Sequence, residues 1–483
     1  MQIHWATLTL GIYILVLILV CLRIIYETRS ATKTMAYLLL VIFIPVAGIL
    51  FYLAFGINYW RKKIYRRKMN ADETLLRQLQ KDILQYNDAM LGRIEDSDDA
   101  RAELAAMLIR DLQTPLTRHN RVKLLVNGEE KFPEVMKALR EAKHHIHIEY
   151  YIFETGKTGD ALVELLIQKA KEGVEVRLIY DDFGSPNIKK PLEKRMREAG
   201  VEVHPFYKIW FYILANRLYY RNHRKIIVID GKTAFVGGIN VSDKYVNDGS
   251  KKIFWRDTHL RIDGPGVYYL QYLFMSDWNF CCSDSLIAGE KYFAPYNRYE
   301  EDVYCQVVGS GPDSPQPSVM FSLLQAIYLA KEEILITTPY FIPGDSITDA
   351  LRVAALSGLK VKLLVPGICD SRLVNSASKA YYSDLLLAGV EIYIYNRGFV
   401  HAKTLVSDGK LSIIGTANMD NRSFELNFEV NAIIYDSEFS SKLREVFFDD
   451  LSYAEKINPD DWFSRSAWEQ FPEKIARLLS PSL

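Results

Sequence analysis

The chain of 483 residues has no net formal charge, because 59 basic side chains are matched by 59 acidic ones. A nucleic-acid binder would more often carry a basic excess, so no nucleic-acid partner is expected. Cysteine is scarce: five residues, at 21, 281, 282, 305 and 369, with no C-x-x-C pair and no metal-binding spacing. The odd count fits reduced thiols rather than a disulfide framework. No glycine-rich phosphate loop is present, so neither a nucleotide nor any other cofactor is expected. Charge is absent from residues 1–22, and again from Thr34 to Trp60.

Those two uncharged runs are long enough, at about 1.5 Å per helical residue, to cross a hydrocarbon core of about 30 Å. A cleaved signal peptide is disfavoured, because the first run lacks a basic region ahead of it and a second run follows at once. Together they read as a transmembrane helical hairpin with Tyr26–Thr34 as connector and Pro45 and Gly48 bending the second arm. Arg61, Lys62, Lys63, Arg66, Arg67 and Lys68 crowd the exit of the second run, against Arg23, Arg29 and Lys33 around the connector. The positive-inside rule then places the remaining chain in the cytoplasm, on a cell-membrane protein with two spans. Thirty tyrosines fit a protein that also touches a lipid interface.

What the chain does have is a motif written twice. His223-Arg224-Lys225, Asp230 and Gly237-Gly238-Ile239-Asn240 match His401-Ala402-Lys403, Asp408 and Gly415-Thr416-Ala417-Asn418 in type and spacing. The surrounding sequence repeats too. Asp160-Ala161-Leu162 returns as Asp349-Ala350-Leu351, and Ala199-Gly200-Val201-Glu202 as Ala388-Gly389-Val390-Glu391. The period is domain-sized, so two similar lobes each supply one His-Lys pair to a shared site. Two histidines allow one to attack phosphorus while the other protonates the leaving oxygen. Two lysines supply positive charge for phosphate oxygens.

In each copy an apolar run leads into Asp-Gly-Lys and another follows, which predicts a hairpin with a type I′ turn. A turn centred on Asp-Gly or on Gly-Lys brings His223 opposite Gly238 or Asn240. Either choice puts His223, Lys225, Gly238 and Asn240 on one face, and likewise His401, Lys403, Thr416 and Asn418. The small residues opposite each histidine would leave room for a phosphate. Asp230 and Asp408 travel with the catalytic residues of the motif, but their turn position favours fixing the backbone over acid or base work.

These residues resemble the phospholipase D superfamily, whose hallmark is this duplicated motif. From the N-terminal hairpin to the C-terminus, the chain looks like a bacterial cardiolipin synthase of the two-span type. Trp255-Arg256-Asp257 after the first motif supports this. So do Asn418-Met419-Asp420-Asn421-Arg422-Ser423 and Leu426-Asn427-Phe428-Glu429 after the second. Gly238 and Thr416 stand where the superfamily often has serine, which questions a hydroxyl contact to phosphate in copy one. The resemblance implies phosphatidyl transfer between two phosphatidylglycerol molecules through a phosphatidyl-histidine, with glycerol released. His223 would be the nucleophile and His401 the general acid and base. Lys225, Lys403, Asn240 and Asn418 would hold the phosphate oxygens. An imidazole also needs its second nitrogen held, and Asp257 and Glu429 are the candidates. Three alternatives stay open: a membrane-anchored phospholipase D that uses water, a nuclease of the same superfamily, and a scaffold without activity. A homo-oligomer is compatible with all of them.

The expected fold class is α/β: two phospholipase D-like α/β sandwich lobes behind the hairpin. Boundaries fall at 1–60 for the hairpin, 61–115 for a helical connector, 116–300 for lobe 1 and 301–483 for lobe 2. Ile146–Phe153, Asp160–Lys171 and Val174–Tyr180 read as strand, helix and strand. Ile334–Ile336, Ile347–Leu356 and Val361–Val365 repeat that order. His145, His147 and Glu149 imitate metal ligands, but Glu333, Leu335 and Thr337 align with them in copy two, so no metal is expected. Tyr151 and Tyr340 take equivalent strand ends, where core packing is expected rather than substrate contact. Copy one carries 11 more residues before its histidine than copy two. There Lys208–Arg221 has the aromatic and basic layout of an interfacial helix, with Trp210, Leu214 and Leu218 on one face. Trp468, Phe471, Ile475 and Leu478 near the C-terminus have a similar pattern.

Overall fold

The computed structural model describes residues 5–28, 31–53, 87, 101–188, 190–206, 220–249, 253–282, 284–293 and 299–480. Most of the expected connector and most of the interfacial segment 208–221 lie outside the described residues. The chain divides into two units, Met1–Arg67 with Ile209–Tyr220, and Lys68–Lys208 with Arg221–Leu483.

In the first unit, α1 (Trp5–Glu27) is an uninterrupted apolar helix. Within it Leu8–Glu27 is the one stretch among the described residues long and apolar enough to cross a membrane. The second run is described only to residue 53 and is broken. α2 (Ala31–Phe43) ends before Ile44, and α3 (Pro45–Phe51) restarts with Pro45 in its first turn. Proline ends the first helix by lacking an N–H and starts the next at no cost. A side chain at Gly48 would meet the Leu40 carbonyl oxygen at 2.4 Å. Pro45 and Gly48 thus bend the arm as their types predict. Ile24, Val41 and Tyr52 form the small buried core of this unit.

The second unit is built on a single 15-stranded sheet. Lobe 1 supplies β1 (Thr117–Val126), β2 (His145–Tyr150), β3 (Glu175–Tyr180), β4 (Glu202–Pro205), β5 (Lys225–Ile229), β6 (Thr233–Gly237) and β8 (Thr258–Asp263). Lobe 2 supplies β9 (Val303–Ser310), β10 (Glu333–Thr337), β12 (Lys360–Pro366), β13 (Glu391–Tyr395), β15 (Thr404–Ser407), β16 (Leu411–Gly415), β18 (Glu429–Ile434) and β19 (Ala454–Lys456). The order runs β19-β13-β12-β10-β15-β16-β18-β9-β1-β8-β6-β5-β2-β3-β4. β1 and β9 therefore join two halves of matching order. In each half a crossover helix returns the chain to a parallel neighbour: β2 to β3 through Lys157–Lys171, β10 to β12 through Gly344–Leu356. β5 runs antiparallel to β2 and β6 but is covered on both faces, so it needs the continuous apolar run that Ile226-Ile227-Val228-Ile229 provides.

Alternate residues of that run serve different cores. Ile227 and Ile229 join Leu162, Leu166 and Val176 on one face, while Ile226 and Val228 face a core shared with lobe 2, including Val406, Ile414 and Ala432. The helix Arg101–Leu112, expected in the connector, is part of lobe 2's own core through Leu104 and Leu108. The polar stripe His145, His147 and Glu149 takes partners within the protein. Gln271 bonds His145 at 3.1 Å and His147 at 2.9 Å, and Glu149 turns instead to Asn222.

The hairpins close as the Asp-Gly pairs demand, with φ of 53° and 63° at Asp230 and Gly231 and 53° and 61° at Asp408 and Gly409. Both central residues are left-handed, the requirement of a type I′ turn. The Asp230 carboxylate also accepts from the backbone N–H groups of Lys143, His144 and His145 at 2.8, 2.8 and 2.9 Å. Asp408 does the same for Lys331, Glu332 and Glu333 at 2.8, 2.8 and 2.9 Å. Each aspartate clamps the start of the neighbouring strand at the turn end of its hairpin, which removes it from the catalytic group. Asp408→Ala should therefore lower stability by about 2 kcal/mol, through lost charge-assisted bonds and a left-handed alanine. Asp408→Asn, which keeps one acceptor and tolerates that φ, should lose less. Midpoints of thermal unfolding would measure both; equal midpoints for all three proteins would contradict the clamp.

Candidate active site

The motif histidines sit just ahead of β5 and β15, where each chain leaves a central strand toward the opposite lobe. Ahead of His223, Asn222 pairs in parallel with Phe428, and the His223 N–H donates to the Phe428 carbonyl at 3.0 Å. Ahead of His401, β14 (Gly398–Val400) pairs in parallel with β7 (Phe254–Arg256), and the His401 N–H donates to the Arg256 carbonyl at 2.7 Å. Phe428 precedes Glu429, and Arg256 precedes Asp257. The same backbone contact thus brings each histidine to an acid of the other lobe.

His223 Nδ1 meets the Glu429 carboxylate at 2.9 and 3.0 Å, and His401 Nδ1 meets Asp257 Oδ2 at 2.7 Å. A carboxylate accepts, so each Nδ1 donates and each Nε2 is left for chemistry. Both carboxylates are wholly buried, and both imidazoles show 8% of their surface. Lys225 Nζ donates to the His223 carbonyl at 2.8 Å, and Lys403 Nζ to the His401 carbonyl at 2.5 Å. Each ammonium keeps protons for another acceptor.

Burial dominates the electrostatics. It lowers His223 to about 4 against the opposing charge of Glu429. It also lowers His401 well below the usual imidazole range, helped by Lys403, Lys225 and His223. The crossed pairing of each imidazole with an acid of the other lobe brings the two motifs close enough for their charges to act on one another. Burial also pulls Lys225 to about 7 and Lys403 to about 8. The acids part company. Burial raises Asp257 to about 6 despite Lys403 and the Thr258 N–H. For Glu429 burial is outweighed by His223, Lys225 and Thr416, and its carboxyl falls below the usual range.

The shared-face expectation fails by one residue. Ile229 lies opposite Thr233 and Ser407 opposite Leu411, which leaves three residues in each loop. Extended up the hairpin, that register sets Lys403 against Gly415, whose N–H donates to it at 3.3 Å. A one-residue slip exchanges the faces along the paired strands, which end at Gly237 and Gly415, so strand parity does not place Gly238, Asn240, Thr416 and Asn418. They serve other partners. Thr416 Oγ1 donates to Glu429 at 2.6 Å, and Asn427 Nδ2 adds a bond at 3.2 Å. Asn240 bonds Tyr245 Oη at 2.6 Å and the Ile152 N–H at 3.2 Å, which closes a loop. The Asn418 side chain bonds the Asp420 carboxylate. A side chain at Gly238 would meet Asp257 Oδ1 at 2.1 Å, so the space beside the small residue holds a carboxylate rather than a phosphate.

Several neighbours carried no sequence signal of their own. Tyr151, expected in the core, packs its ring edge-on to His223 at 4.9 Å. Tyr340 instead bonds Asp370 at 2.6 Å. Tyr245, Trp255 and Phe399 surround His401 with ring distances of 5.9, 5.8 and 5.9 Å. Behind His223, Arg224 bonds the buried Asp277 and reaches the Glu429 carbonyl at 3.3 Å. Copy two has Ala402 in place of Arg224, and only the mismatch within the repeat hints at this network. Gly238→Ser should push Asp257 aside and cut activity about a hundredfold, the usual cost of misplacing a reacting group by an ångström. Thr416→Ser, which keeps the hydroxyl on Glu429, should remain near full activity. Comparable losses in the two variants would disprove this account of the pair.

Comparison with known proteins agrees with the geometry. Residues 135–254 and 323–451 match the family described as cardiolipin synthase, PLD-like domain, and residues 12–56 match the phospholipase D-nuclease N-terminal family. The chain is 39% identical to the major cardiolipin synthase ClsA of Bacillus subtilis, over 99% of both chains. It is 38% identical to a cardiolipin synthase of Geobacillus kaustophilus, over 99% of this chain and 95% of that one. Among solved structures, phosphatidylserine synthase of Haemophilus influenzae shares the fold at 13% identity and a TM-score of 0.56, covering 76% of this chain and 93% of that one. With two lobes, two motifs and full-length kinship, the chain belongs to the cardiolipin synthase family of phospholipase D-like enzymes.

Proposed function

We propose that this enzyme makes cardiolipin by moving a phosphatidyl group from one phosphatidylglycerol to another, with glycerol as the leaving group. The observation that carries this reading is the crossed pairing of His223 with Glu429 and His401 with Asp257, which leaves two Nε2 atoms free in one lysine-lined site. His223 Nε2 attacks phosphorus and the bond to glycerol oxygen breaks, with His401 giving that oxygen a proton. The neutral His401 then takes the proton of a second phosphatidylglycerol's terminal hydroxyl. That oxygen attacks phosphorus and releases His223. Lys225 and Lys403 bind the non-bridging oxygens and offset charge in both transition states. The depressed Glu429 supports His223 as nucleophile, because a charged partner strengthens the imidazole as a base.

The site sits in a membrane enzyme with two spans and cytoplasmic lobes. This reading rests on α1, on the match over residues 12–56 and on the basic run after residue 60. His223→Ala and His401→Ala should each lower turnover by about a thousandfold or more, because one histidine cannot serve both halves of the reaction. Labelled phosphatidylglycerol as sole substrate should yield cardiolipin and glycerol. Phosphatidic acid and glycerol would instead assign water as the acceptor, and half activity in either alanine variant would refute one shared site.

Activity should also fall on the alkaline side. The lysines work as ammonium ions, and burial sets Lys225 at about 7 and Lys403 at about 8. Below these values both are charged; as pH rises through them the free enzyme loses its phosphate-binding charge. The kcat/KM profile, which reports the free enzyme, should therefore descend above about pH 7, where Lys225 begins to lose its charge. A profile flat to pH 10 would contradict it.

A further inference from the structure

The helix α4 (Ala467–Leu478) is mounted inside out. A surface helix ordinarily buries its apolar stripe and shows its polar one. Here Trp468, Phe471, Ile475 and Leu478, spaced three and four residues apart, are 85%, 54%, 48% and 79% exposed. The side against the protein is polar or small. Glu473 is buried and bonded by Arg465 at 2.7 and 3.1 Å, Gln470 donates to the Arg465 carbonyl at 2.9 Å, and Ala476 is buried. The helix is fixed in this orientation. It packs along Arg372–Leu387, Arg477 approaches Asp384 at 3.8 Å, and a capping box at Ser466 and Glu469 fixes its start.

Its far end adjoins the second motif. The Ser480 carbonyl accepts from Asn421 Nδ2 at 3.1 Å, and Asn421 opens the short helix directly after Asn418 and Asp420. An apolar strip of this size on a fixed helix marks a contact surface. Lys474 is exposed on the flank of the strip, and Arg477 lies beyond it, placed to meet anionic headgroups. Tryptophan and other aromatic side chains settle at the headgroup level of a bilayer.

We propose that Trp468, Phe471, Ile475 and Leu478 of α4 rest in the surface of an anionic lipid bilayer and hold the second motif beside it. The choice of lipid as occupant rests on the proposed phosphatidylglycerol substrate, which brings the site to that surface. A test uses the full chain in nanodiscs of phosphatidylglycerol and a zwitterionic lipid, with nitroxide quenchers high on the acyl chains. An environment-sensitive fluorophore is placed at Ile475→Cys, with Lys442→Cys on the helix Ser437–Leu451 as control and the unsubstituted protein as background. Quenching at 475 should exceed that at 442 by about threefold or more. Equal quenching overturns the proposal. So does energy transfer between donor- and acceptor-labelled copies without lipid quenching, which assigns the face to a second copy. In a separate arm, Trp468→Ser with Phe471→Ser should cut turnover of bilayer phosphatidylglycerol about tenfold, yet leave a short-chain soluble analogue within about twofold. Equal losses on both substrates also overturn it. If the unsubstituted enzyme forms no cardiolipin, the substrate reading fails, while the quenching arm still decides the position of the helix.

Discussion

Each histidine of the site is held by a carboxylate of the other lobe, and the remaining architecture follows from that exchange. Glu429 and Asp257 are fully buried, and an isolated buried carboxylate costs several kcal/mol. Separating the lobes would leave each acid without its imidazole and each imidazole without its acid. The parallel contacts that precede these residues, Asn222 with Phe428 and β14 with β7, fix the approach of the two lobes at the point where the pairing is made. A single lobe folded alone would carry a complete motif and an incomplete site. This accounts for a shared apolar core between the half-sheets, in which Ile226 and Val228 meet Val406 and Ile414. The chemistry requires the lobes to be locked, and the core locks them.

The charge within the site is balanced for an anionic guest. Two ammonium groups face two carboxylates, and neutral imidazoles complete a set that burial would otherwise make costly. A phosphodiester brings one negative charge into this enclosure. The lysines, pulled down by burial, gain a partner that restores them. The same charge favours a proton on an imidazole that is neutral in the empty site. Binding would thus create the acid that the first step consumes, without a metal ion being needed to supply positive charge.

The motif was legible because it was written twice at the same spacing, and its strands, helices and parallel crossovers followed from apolar runs and Asp-Gly turns. The register was not. The parity argument assumed a two-residue loop, whereas Ile229 faces Thr233 across three, and past the strand ends Gly238 and Thr416 lie beside carboxylates. The crossing of the acids was also hidden. Proximity in sequence suggests that Asp257 and Glu429 belong near their own motifs, while only the strand order shows that they meet the other one. Likewise Arg101–Leu112 precedes lobe 1 in the chain but packs in lobe 2, since amphipathic spacing names a buried face without naming its partner.

The two halves are similar enough to build one site and different enough to divide the labour. Lobe 1 offers the short Asp257 beside a glycine; lobe 2 offers the longer Glu429 beside a threonine. Lobe 2 is thus the bulkier at both positions, by a methylene and by a threonine side chain, and the electrostatics differ as well. Glu429 receives His223, Thr416 and Asn427, and its charge is held down by these donors and by Lys225. Asp257 has a backbone N–H from Thr258 at 2.7 Å besides His401, and it rises to about 6. A buried acid in that range can share a proton with its imidazole instead of only orienting it. The first pairing favours a persistently neutral, basic histidine, and the second a histidine through which a proton comes and goes. Arg224 and Asp277 form a buried pair behind His223, where copy two has Ala402 in place of the arginine, which suits the proposed role of His223 as nucleophile. Duplication supplies matched parts, and these small departures from symmetry support the proposed division of roles between His223 and His401.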